Sequence, residues 1–370
     1  MLCRKKSERR ALQKLTMRIL PVAGAFFLLS AGACAALFLS AAPRPGDRIS
    51  LKVNEQQRRV DVSIDGQPFT SYIWPDKQAK PVLYPLRTAK GTIITRGYPL
   101  EPRPGERVDH PHQVGLWLDY ESVNGIDFWN NSEAIKPRDA PKMGTIRQRS
   151  IVLAKGGPDD GVLEVEAEWL TFDEKVLLKE QTQFVFRSGA NFRSVDRITT
   201  LQAQVDKVVF ADAKDGMLGL RVVRVLEAPS DKAEVFTDAS GRATTVPKLD
   251  NTGVNGVYLT SEGKRGEAAW GTRGRWCNLS GNIGDEPVII SIFDHPSNPG
   301  FPTYWHARGY GLFAANPLGE KIFSNGKEEL NLTLARGQSV TFRYRVLISS
   351  EILTPESTEA AYKAFVAADH

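Results

Sequence analysis

Two short runs hold four of the five histidines. "DHPHQVGLWLDYESVNGIDFWNN", residues 109–131, carries His110 and His112, and "DHPSNPGFPTYWHARGYGLFAANPLG", residues 294–319, carries His295 and His306. Imidazole is the one side chain whose ordinary pKa lets it serve as acid and base near neutrality. His110 and His306 are the acid and base candidates. On an extended chain, residues two apart face one side, so His110 and His112 could also form half of a metal site. His295, His306, Asp109 or Asp294 would complete it. A divalent metal is therefore a candidate cofactor, with His110, His112, His295 and His306 as its ligands. Without a metal, His112 and His295 would bind substrate. The bland reading of all four is that they tie loops together by hydrogen bonds.

The same runs supply other groups. Asp127, between Ile126 and Phe128 in a strand-like stretch, could orient a histidine or take a proton. Arg308 could hold a carboxylate or stabilise developing negative charge. Trp117, Trp129, Trp305 and Tyr304 offer flat faces for a sugar ring, against the alternative of core packing. Asn316 is a further binding candidate, although in "NPLG" it could instead cap the backbone. "GLFAAN" echoes "GLWLDY", which suggests equivalent strands that meet in space. Cys277, the one cysteine after residue 34, reads as a small buried side chain.

Strands must position these groups. "RRVDVSIDGQPFTSYIW" alternates on both sides of Asp65-Gly66, a hairpin signal. "GVLEVEAEWL", "TQFVFRS", "NFRSVDRITT" and "VTFRYRVLI" also alternate, and "PVIISIFDHP" reads as a buried strand ending at His295. Only "TPESTEAAYKAFVAAD" reads as a helix, with Thr354 as cap and Pro355 in its first turn. The expected fold is all-β. It would be one large antiparallel sandwich over residues 50–370, with a short C-terminal helix.

Of the 48 Lys/Arg and 43 Asp/Glu, seven and one fall in residues 1–42, which leaves 41 and 42, a net of −1. Such a body has no basic excess for phosphates, which argues against nucleic acid as a partner. Residues 19–42 are apolar throughout, and with the basic start they read as an export signal or an N-terminal anchor, followed by a linker at 43–49. The expected location is outside the cytoplasm, in the periplasm or anchored facing it. Membrane contact would come only through that segment. No Gly-x-Ser-x-Gly elbow, phosphate-binding Gly-Lys-Ser/Thr loop or His-Glu-x-x-His helix occurs, which sets aside the corresponding hydrolase, nucleotide and zinc-protease chemistries.

Together, "DHPHQVGLWLDYESVNGIDFW" and "FDHPSNPGFPTYWHARGYGLFAANPLG" resemble the bacterial PmoA-like family, known as methane oxygenase PmoA, over most of residues 50–365. The chain departs from that pattern at Gln113-Val114, where a histidine and an arginine are common. The resemblance implies an exported protein associated with carbohydrate breakdown, with a large β-sandwich similar to the galactose-mutarotase type. A methane oxygenase subunit would need intramembrane segments that this polar body lacks. The leading expectation is a carbohydrate-active envelope enzyme: a lyase, hydrolase or epimerase moving protons on a sugar or oxidised sugar. The alternatives are a glycan-binding protein using Trp117, Trp129 and Trp305, and a metal-dependent oxidoreductase.

Overall fold

The computed structural model describes residues 48–368. Alternation of apolar and polar residues dominates it. Asp160–Leu170, for example, buries every second side chain until its last pair. Asp65 and Gly66 take positive φ of 50° and 75°, the backbone of a tight hairpin turn between Arg59–Ile64 and Gln67–Ile73.

Sixteen strands form two eight-stranded antiparallel sheets. The first runs Ile49–Asn54, Arg59–Ile64, Gln67–Ile73, Val82–Leu83, Leu116–Tyr120, Gly216–Arg221, Leu312–Asn316 and Tyr304–Arg308. The second runs Val257–Thr260, Trp276–Ile283, Glu286–Asp294, Ser339–Ser349, Phe192–Ala203, Val176–Ser188, Asp160–Leu170 and Thr145–Lys155. One continuous core lies between them. Leu116, Leu118, Leu220, Trp305 and Phe313 of the first sheet share it with Val165, Phe184, Ile290 and Phe342 of the second. Each such side chain contributes about 1.5–3 kcal/mol by leaving water. The described residues thus form an all-β sandwich, and the longest helix among them is the C-terminal Pro355–Val366. The Thr354 side chain accepts the Ser357 N–H at 3.2 Å to cap that helix, and Tyr362 and Phe365 pack on Phe293.

The other face of the first sheet carries residues of both histidine runs. The two echoing stretches do become related strands: Leu116–Tyr120 and Leu312–Asn316 flank Gly216–Arg221 on either side. Register places Trp117, Gly219, Ala314 and His306 in one row across four strands. Because strand side chains alternate, this row faces away from the main core. The Trp117 indole lies over the bare backbone of Gly219, where an added Cβ would meet a ring carbon at 2.4 Å. Trp117 and Trp129, with ring centroids 5.1 Å apart, build a smaller apolar cluster on this outer face with Val82, Tyr84, Val114, Leu312 and Ala314.

Tyr304–Arg308 is the last strand of its sheet. Its outer side is fastened by residues 271–274. Gly271 N–H donates to the Trp305 carbonyl at 2.9 Å, Trp305 N–H to Thr272 at 2.9 Å, and Gly274 N–H to Thr303 at 3.1 Å.

Among the described residues no helix is long and apolar enough to cross a membrane. The export or anchor reading of residues 1–42 and most of the linker lie outside the described residues.

Candidate active site

Pro111 and the neighbouring backbone turn the first histidine run into a tight loop, not a strand. His110 takes φ +41°. The loop is organised by Arg96, which is 1% exposed. Its guanidinium donates to the carbonyls of Asp109 (2.8 Å), His110 (2.9 Å) and Gln113 (3.1 Å), and pairs with the Asp109 carboxylate. Arg221, fully buried, donates to the same carboxylate at 2.7 Å and to the Gln113 side chain. Asp109 also lies 2.9 Å from His110 Nδ1. Burial alone would raise the Asp109 pKa. The His110 hydrogen bond and the charges of Arg221 and Arg96 outweigh it and hold the carboxylate well below its usual range.

His112 sits behind His110, ring centroids 5.7 Å apart and nearly perpendicular. Burial, aided by Lys80 and His110, pushes its pKa down to about 2. It is buried, with its ring against that of the exposed His110.

His306 is 2% exposed and lies at the floor of the outer face. Its Nδ1 is 3.2 Å from Asp215 Oδ1, but the angle is wrong for a hydrogen bond, so Nδ1 has no hydrogen-bond partner. Burial first, then Lys214 and Arg308, lowers the His306 pKa to about 3. Asp215 is raised by burial and opposed by Lys214, whose Nζ lies 3.5 Å from Oδ2. The Asn316 amide is fully buried and donates to the carbonyls of Ala213 (2.9 Å) and Lys214 (2.8 Å). It therefore fixes the segment that delivers Asp215 and is not itself open to a ligand.

Planar groups ring this floor. Phe323 lies 6.2 Å from His306 and 5.6 Å from Trp270. The Arg308 guanidinium stands 5.4 Å from Trp270 and 5.8 Å from Tyr310, and Tyr310 stacks on His110 at 5.0 Å and 3°. Trp270, Arg308 and His110 are exposed while His306 and Asp215 are buried. The arrangement is a rim of rings around a neutral imidazole beside a carboxylate, which can accept and return a proton.

Several expectations need correction. His295 belongs elsewhere. It follows Glu286–Asp294 of the second sheet, packs on Phe365 of the C-terminal helix at 5.4 Å, and has Nδ1 2.7 Å from Ser297 Oγ. The four histidines thus do not form one metal set, and among the described residues no group of three or more His, Cys, Asp or Glu is arranged to hold a metal. Asp127 forms an isolated β-bridge with Met143, and its two oxygens accept the Asn130 N–H and side-chain amide, both at 2.9 Å. Trp117, Trp129 and Trp305 are at most 1% exposed, so no stacking platform exists there. Tyr304 is buried under Arg273 and stacked on Phe323. Cys277 is buried, and burial raises its thiol pKa.

Sequence reading missed Asp215, Arg96, Arg221, Lys80, Trp270 and Phe323. Tyr310 lay inside the second run, Phe323 just past its end and Arg96 a little before the first, while Lys80, Asp215, Arg221 and Trp270 stand further off and carry no local signal.

The family described as "Family of unknown function (DUF6807)" matches residues 59–363. The chain belongs to the DUF6807 family. This match corrects the PmoA-like resemblance, which rested on two short runs. No curated protein matches. Among solved structures, the DUF6807 chain is similar to a protein from Escherichia coli K12 described provisionally as an aldose 1-epimerase. They share 10% identity over 82% of this chain and 99% of that one, with a TM-score of 0.33. It is similar also to the Slr1438 protein of Synechocystis sp. PCC 6803, at 9% identity over 84% and 97% of the two chains and a TM-score of 0.31. A GH36 alpha-galactosidase, AgaB from Geobacillus stearothermophilus, aligns at 11% identity over 82% of this chain but 41% of its own, with a TM-score of 0.34.

The buried imidazole makes a pH prediction. In the unfolded chain His306 binds its proton near pH 6.5, whereas in the folded chain it does so only near pH 3. Between those values the unfolded state holds one more proton, so this group's contribution is complete above pH 6.5 and is lost as pH falls. Urea unfolding of the wild type and His306→Gln at pH 6.5, 5.5 and 4.5 should show the difference moving in the variant's favour by about 1.4 kcal/mol per pH unit. A constant difference would mean that the imidazole is not held neutral.

Proposed function

We propose that this protein is a carbohydrate-active enzyme that moves a proton on a sugar or oxidised sugar, by lyase, hydrolase or epimerase chemistry. The observation that carries this is the neutral, buried His306 with Asp215 Oδ1 at 3.2 Å, at the floor of an aromatic rim. A small ring rotation would let Nδ1–H donate to Asp215 and leave Nε2 as the accepting nitrogen. That tautomer suits a general base, and Asp215 would stabilise the imidazolium that forms. His110, exposed and hydrogen-bonded to Asp109, is placed to handle the second proton.

The substrate class follows from the rim. Trp270 is exposed beside the guanidinium of Arg308, and Tyr310 lies between the imidazole of His110 and the guanidinium of Arg221 with Arg308 at its edge. That mix suits a molecule with an apolar C–H face and a polar edge, as a pyranose has. The test is proton NMR of the purified protein in D2O with a panel of hexoses, uronates and oligosaccharides. One member should lose a ring C–H signal by exchange, or convert to a new species. A panel left wholly unchanged at micromolar protein sinks the reading.

A further inference from the structure

Arg308 differs from the other cations near the floor in having no acidic partner. Lys214 is matched by Asp215, and Arg96 and Arg221 by Asp109. The remaining acids are engaged as well: Glu121 accepts the Asp215 N–H at 3.0 Å, and Asp127 accepts from Asn130. No carboxylate among the described residues lies within ion-pair distance of Arg308. Its guanidinium instead stands between the rings of Trp270 and Tyr310. Held this way, the planar fork has a fixed orientation and a free N–H edge, the geometry that takes a carboxylate at two points. Arg308 and His306 lie two apart on one strand and so leave the same face. An anion bound by the first brings its neighbouring carbon toward the second.

We propose that the substrate is a sugar acid, a uronate, whose carboxylate is anchored by Arg308 while His306 removes the proton on the carbon next to it. This rests on the proton-transfer reading above. The C–H bond breaks, its proton goes to the imidazole, and its electron pair spreads into the carboxylate as an enediolate. Charge on the carboxylate oxygens grows in that step, so Arg308 stabilises the transition state more than the ground state. A proton returned to the opposite side of the carbon gives the inverted sugar acid. No oxidant or reductant is needed.

Titration calorimetry of the full chain tests this with D-galacturonate and D-glucuronate against D-galactose and D-glucose. At least one uronate should bind ten times or more tightly than its uncharged counterpart. Arg308→Gln should weaken that binding by roughly 10–100-fold, the range for charge-assisted hydrogen bonds, and weaken binding of the neutral sugars by much less. Arg308→Lys should recover part of it. The residue is exposed, and circular dichroism should confirm that both variants fold. Equal affinity for acid and neutral sugars, or indifference to Arg308→Gln, overturns the anchor and leaves the proton-transfer reading standing. Failure of all four sugars to bind, with no exchange in D2O, removes both.

Discussion

Lys80→Ala should cost about 3–5 kcal/mol of unfolding free energy, the range for removing one partner of a buried ion pair. Lys80 is 2% exposed, and its ammonium contacts Asp119, which is fully buried, and the Trp129 carbonyl at 3.1 Å. It also stands 5.2 Å and 5.8 Å from the centroids of Trp117 and Trp129. Burial raises the Asp119 pKa and Lys80 holds it back, to about 7. Alanine would leave a carboxylate in an apolar cluster with no cation. Without Lys80 the Asp119 pKa rises above 7, so the variant's carboxyl takes a proton where the wild type's is still charged, and the loss should shrink as pH falls from 8 toward 7 and change little below that. Replacing both partners, Lys80→Met with Asp119→Leu, should come much closer to wild type, because matched apolar groups carry no desolvation cost. Urea midpoints at pH 8 and pH 5.5 check each variant. A single-variant loss under 1 kcal/mol would mean that water reaches the pair.

The second large effect is on turnover. Once a substrate is found, His306→Gln should lower kcat by roughly 10²–10⁴-fold with little change in KM, the range for a positioned general base. Glutamine keeps the polarity and nearly the volume but cannot take a proton. Asp215→Asn should lose less, because the imidazole survives and only its partner loses charge. A kcat within threefold of wild type for His306→Gln would remove the imidazole from the chemistry.

The two halves of the fold problem were unequally legible. Strand alternation was plain in runs such as Asp160–Leu170, the hairpin in Asp65-Gly66, and the C-terminal helix in its cap and alanines, because each signal is local. That "GLWLDY" and "GLFAAN" join one sheet was legible in their echo. What lay between them was not: Gly216–Arg221 inserts from about a hundred residues away and brings Arg221 with it, while Asp215 stands just before. The tryptophans misled for a related reason. Aromatic residues on the outer face of a sheet read alike whether solvent or another layer covers them, and here a second apolar cluster does. His110 and His112 were placed on one face by assuming an extended chain, but Arg96 gathers that segment into a turn.

The fastening of residues 271–274 along the outermost strand sets a limit on how this protein can vary. Neighbouring positions in Tyr304–Arg308 have opposite fates: Trp305 fills the interior and His306 leaves by the outer face. If this strand slipped by one position between the strap and Leu312–Asn316, those two would trade places, with indole on the outer face and imidazole forced into the core. Length changes in the turns that lead into and out of this strand should therefore be tolerated only when they leave this alignment intact, however exposed the loop is.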